Sequence, residues 1–122
     1  MNKKEVLQDT ALRVIQIEAA AKAMCMMEME GQEEYEIARS LALLVEQDAL
    51  ELLYRIDCGG AGYVELHEAA AVASMLSDYG TIADPADLDA KDTFFSLAEV
   101  TARSIARARE VLEAEANRLE TA

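Results

Sequence analysis

The chain has no tryptophan, one proline, one histidine and two cysteines, and only 5% of its residues are aromatic. Each scarcity removes an explanation. His67, Cys25 and Cys58 are too few for a zinc site, which takes several His or Cys ligands held together. Two cysteines make no disulfide framework, so a reduced, cytoplasmic protein is expected. Lys3 and Lys4 resemble the start of a leader, but Glu5, Gln8, Asp9 and Arg13 break any apolar core that would follow. No uncharged apolar run reaches the length that spans a bilayer, so no membrane segment is expected. Basic patches are missing too, and without them phosphates cannot be neutralised, which argues against direct nucleic-acid binding.

What is present is acid and helix-forming residues. Twenty-four Asp and Glu stand against eleven Lys and Arg, a formal net charge of -13 over 122 residues. Ala, Leu, Glu and Met dominate, all strong helix formers. The apolar fraction is 52%, rich for so small a domain, and it leaves apolar surface for a partner or a second copy.

Apolar residues recur at helical spacing. Leu7, Ala11, Val14, Ile17, Ala21 and Met24 form a stripe in a first segment, Lys4 to Glu30. Gly31 then marks either a tight turn or a kink. A second segment, Gln32 to Asp57, places Ile37, Leu41, Leu44, Leu52 and Ile56 on one side, and its Leu41–Val45 stretch is apolar almost all round. Cys58-Gly59-Gly60-Ala61-Gly62 is the clearest break. A third helix is expected over Val64 to Tyr79, with Gly80 as its stop. Asp84-Pro85 reads as N-cap and first helical residue of the last helix, whose start is expected at Pro85 rather than near Asp92. Phe94, Ala98, Thr101, Ile105, Ala108, Leu112 and Leu119 line that helix out to Glu120. The expectation is one all-α domain over residues 1–122: a four-helix, mostly antiparallel bundle with short turns, pairing as a homodimer.

Much of the acid has a structural role. Glu28, Glu30, Glu33, Glu34 and Glu36 form one cluster and Asp84, Asp87, Asp89 and Asp92 another; both fall at helix beginnings, as do Glu65 and Glu68. Exposed N–H groups there favour negative charge by roughly 0.3–1 kcal/mol per residue. Arg103, Arg107, Arg109 and Arg118 lie in the back half of the last helix, where positive charge is favoured. Glu99 with Arg103, and Arg109 with Glu113, are spaced for i,i+4 pairing.

Candidate sites are few. Met24-Cys25-Met26-Met27-Glu28-Met29 offers soft donors for Cu(I), yet at about 100° per residue they point around the whole helix and cannot converge. They suit an adaptable contact surface instead. Glu65-Leu66-His67-Glu68 lacks the Glu-x-x-His step of a helical di-iron site. Gly60-Ala61-Gly62 lacks the third glycine and the Lys-Ser/Thr of a phosphate loop, and Glu65 and Glu68 would repel a phosphate. Arg55 is the single basic residue near Cys58, and a Cys58–His67 nucleophile pair has no orienting group in the sequence. Ser96 and Glu99 match a capping box inside a periodic stretch, a chance match. No cofactor or metal is expected. The expected function is a protein-interaction module without a catalytic site, its partner surface being Met26, Met27, Glu28, Met29, Glu30, Glu33, Glu34 and Glu36. The alternative is an acidic inhibitor or nucleic-acid mimic, of the kind phages and mobile elements make, that covers a basic site on a protein partner.

Overall fold

The computed structural model describes residues 2–82 and 88–121. Among these, the chain forms α1 (Lys3–Met26), α2 (Gln32–Leu53), α3 (Tyr63–Ile82) and α4 (Leu88–Thr121). The expected Asp84-Pro85 cap, the start at Pro85 and the carboxylates Asp84 and Asp87 lie outside the described residues.

Local chemistry sets the helix ends. The Asn2 side chain accepts a 2.8 Å hydrogen bond from the Glu5 N–H, an N-cap that satisfies one orphan donor of α1. α1 stops at Met26, short of Glu30. Met27 is extended, its N–H donates to the Met24 carbonyl at 3.3 Å, and the chain runs to Gly31, the N-cap of α2. Gly31 therefore ends a turn rather than kinking a helix. α2 ends at Leu53, with the Tyr54 and Arg55 N–H groups closing its last turn on Glu51 and Leu52. In the following loop Gly59 and Gly62 have φ of +79° and +83°, the left-handed region that favours glycine. A Cβ on Gly62 would also lie 2.9 Å from Leu112 Cγ, so the loop rests directly on α4. Gly80 does not stop α3, which continues to Ile82; one mid-helix glycine costs only about 1 kcal/mol, too little to end a helix held by packing.

Cross-helix pairs establish an antiparallel bundle. Lys4 meets Glu120 at 3.2 Å and Glu18 meets Arg109 at 2.6 Å, which runs α4 back along α1. Asp9 reaches Arg55, just beyond α2, at 3.2 Å. The rings of Tyr35 and Phe94 pack edge to face at 5.7 Å, bringing the beginnings of α2 and α4 to one end. α1 packs most broadly on α4 and α2 on α3, while the seam between α1 and α2 is the thinnest.

The expected stripes of α1 and α4 are buried, except that Leu119 is only partly so. The α2 stripe is so only in part: Leu52 is buried, and Leu41 and Ile56 are partly buried against the core. Its buried row is Tyr35, Ala38, Ala42, Val45, Ala49 and Leu52, whereas Ile37 and Leu44 are 48% and 46% exposed. Both rows keep helical spacing. The row of alanines won because small side chains let α2 sit close to its neighbours, with Tyr35 filling the space beside Phe94.

Candidate functional site

The fold brings acids from separate segments to one end. In an antiparallel bundle the end of α1, the beginning of α2 and the beginning of α4 share one pole. The cluster from Glu28 to Glu36 and the carboxylates Asp89 and Asp92 therefore meet at the same end, although far apart in sequence. At the other end Lys4, Arg55 and Arg118 bond Glu120, Asp9 and Glu115, and Asp9 also takes Arg13 at 3.1 Å. The acidic pole is thus a product of topology.

Of the expected contact residues, Met26 is 82% exposed at the end of α1, and Glu28, Glu30, Glu33 and Glu36 are exposed. Met27 and Glu34 are half-buried. Met29 is a correction: at 6% exposure it belongs to the core cluster, because the extended link after α1 turns it inward.

Two apolar surfaces escaped the sequence reading. Ile37, Leu41 and Leu44 recur on the flank of α2 that also carries Asp48 and Glu51, which face Arg13 and Gln16 of α1 across a shallow groove. On α1, Leu12 is 64% and Ile15 44% exposed, beside a groove completed by Gln8 and by Glu113, Ala116 and Asn117 of α4. The signal was available: α1 and α2 each hold a second apolar row at spacings of three and four.

The ring of His67 stacks on Tyr63, centroids 6.2 Å apart, and a hydrogen bond with Cys58 pushes the Tyr63 phenol up. Tyr63 thus engages each member of the imagined Cys58–His67 pair. Burial, then the charge of Glu99, pushes the Cys25 thiol up, which disfavours the nucleophilic thiolate. Among the described residues no group of three His, Cys, Asp or Glu is placed to hold a metal ion, and no helix is long and apolar enough to cross a membrane.

Among the described residues Glu18 is the one buried carboxylate. Burial pushes it up, but Arg109 and Lys22 outweigh this and hold it below the usual carboxylate range. Its role is to tie α1 to α4. Compared with known proteins, the chain matches no family model, no curated protein and no solved structure.

Proposed function

We propose that this protein is a protein-interaction module that pairs with a second copy of itself and docks a basic, amphipathic segment of another protein at its acidic pole. The observation that carries the reading is the row Ile37–Leu41–Leu44, exposed at Ile37 and Leu44 and half-buried at Leu41, which continues from Glu33, Glu34 and Glu36 in the first turns of α2. An apolar strip leading into carboxylates matches a helix with one apolar and one Lys/Arg-rich face. The charge steers encounter and the apolar strip holds the complex. No cofactor and no catalytic step enter this reading.

The convergence of the Glu28–Glu36 cluster with Asp89 and Asp92 on one pole favours one related reading: an inhibitor that covers a nucleic-acid-binding or otherwise basic site on its partner. The two readings share a surface and differ in what the partner does when free. Capture from host lysate on wild-type protein, on Glu33/Glu34/Glu36→Lys and on Ile37→Asp/Leu44→Asp tests them. A partner retained by wild type alone, and eluted by salt, is expected. Equal retention by all three proteins, with no response to salt, overturns the surface. Loss of the partner's nucleic-acid binding on complex formation selects the inhibitor.

A further inference from the structure

The outer face of α1 differs from the rest of this acidic surface. Glu5, Gln8, Leu12, Ile15, Ala19, Lys22 and Met26 recur at alternating spacings of three and four, and all are exposed. The middle of this row, Leu12, Ile15 and Ala19, is apolar and exposed, with polar and charged residues to either side, the pattern of a short helix-to-helix contact. Between Gln8 and Met26, α1 contains only two acids, Asp9 and Glu18, and both are engaged elsewhere: Asp9 bonds Arg13 and Arg55, and Glu18 is buried against Arg109 and Lys22. In a chain of net charge -13, a helix face free of carboxylates over that length is where two like-charged molecules meet with least repulsion. The adjoining groove adds one carboxylate, Glu113 of α4, which bonds Arg109 at 3.4 Å.

We infer that this face receives the same face of a second copy, the two α1 helices running antiparallel about a two-fold axis that sets Leu12 opposite Ile15 of the second copy. Charge complementarity fixes that direction. Glu5 and Lys22 lie at equal distances on either side of the midpoint between Leu12 and Ile15, so each Glu5 falls beside Lys22 of the other copy, twice per dimer. A parallel pairing would set Glu5 against Glu5 and Lys22 against Lys22. Lys22 also bonds Glu18 at 3.1 Å, and its side chain is 65% exposed, open on its outer side. The rim formed by Ala116 and Asn117 of α4 widens the contact beyond one helix. This assignment deepens the self-association proposed above and rests on it; the basic-partner surface on α2 is separate.

The test is sedimentation equilibrium at about 5–300 µM, a span that brackets micromolar affinity, on wild type and on Leu12→Glu/Ile15→Glu, whose altered side chains are exposed and leave the core untouched. Dimerisation by wild type that strengthens with salt, and weakens at least about tenfold in the variant with circular dichroism and melting unchanged, supports the face. A wild-type chain that stays monomeric throughout, or a variant that dimerises equally, overturns it. Orientation is read from single cysteines in a Cys25→Ala/Cys58→Ser background. Ile15→Cys lies near the axis and cross-links on oxidation, whereas Met26→Cys residues fall about 37 Å apart along the helices and do not. Cross-linking of Met26→Cys, whether or not Ile15→Cys also cross-links, overturns the antiparallel register, because a parallel pair brings both positions together. Because salt strengthens this like-charged pairing and weakens capture of a basic partner, the failure of one is distinguishable from failure of the other.

Discussion

Glu18 Oε1 accepts a 2.6 Å hydrogen bond from Arg109 Nε, joining positions 91 residues apart at the middle of the α1–α4 contact. Lys22 bonds the other Glu18 oxygen at 3.1 Å and Glu113 bonds Arg109 at 3.4 Å, so the two ions form the centre of a four-residue chain. Of the two i,i+4 pairs expected in α4, Arg109–Glu113 is thus present, extended by a partner no sequence spacing would reveal. A charge pair at this depth fixes the register of two helices, because a slip of one turn would take Arg109 away and leave the buried Glu18 carboxylate with Lys22 alone.

Replacing Glu18 by Gln keeps the shape and removes the charge. Unfolding in urea at neutral pH is expected to lose about 2 kcal/mol. The carboxyl is held below its ordinary 4.5, so its stabilisation is fully present above that value and vanishes as pH falls through the lower folded-state value. The gap between wild type and Glu18→Gln should therefore close on acidification below 4.5. A gap that persists unchanged into stronger acid would show that the charge contributes nothing.

The α2 register predicts an inversion of the usual hydrophobic ranking. Ala42 is fully buried, and enlarging it by Ala42→Leu should destabilise by about 1–3 kcal/mol through overpacking. Leu44→Ala, at the exposed position, should cost about 0.5 kcal/mol or less in the isolated chain. Thermal melts of both variants decide it: a larger loss for Leu44→Ala would put the buried face back on the Ile37–Leu44 row.

Gly59 and Gly62 share a left-handed backbone but not a neighbourhood. Gly59→Ala should cost about 1 kcal/mol from conformation alone, since nothing lies within 4 Å of its new Cβ. Gly62→Ala adds a collision with Leu112 and should cost about 2–4 kcal/mol in all. Equal losses in chemical denaturation would mean that the loop lifts freely off α4.

Carboxylates gathered at one pole repel each other. Raising ionic strength from about 0.01 M to about 0.15 M shortens the screening length from roughly 30 Å to roughly 8 Å, and the melting temperature should rise. The rise should be smaller in Glu33/Glu34/Glu36→Gln. A melting temperature that falls with salt would mean attraction outweighs repulsion across the whole surface.

Much of the architecture was legible in the residues. Helix-forming composition, two long apolar stripes and the glycine-rich break after Cys58 dictate four helices, because each is a property of chain segments shorter than a helix. Segment ends were less legible: α1 stops before Met27, a good helix former, and α3 runs through Gly80, a poor one, because Met29 turns into the core and α3 is held by packing. The candidate surface was half legible. The acids from Glu28 to Glu36 stand together in sequence, while Met29 proved to be interior, and Ile37, Leu44, Leu12 and Ile15 proved to be exterior.

What the sequence determined by itself is the material: a strongly acidic chain with enough apolar periodicity to close a helical core and with surplus rows left over. Only the tertiary structure decided which rows those were. Periodicity is equally satisfied by Ile37–Leu44 and by Ala38–Ala49, and the choice falls to how closely helices can approach, a property of pairs of helices. The same holds for charge. That Glu28–Glu36 and Asp89–Asp92 share a pole, and that Asp9 and Glu18 of α1 reach Arg55 and Arg109, follows from antiparallel packing, which no local pattern encodes.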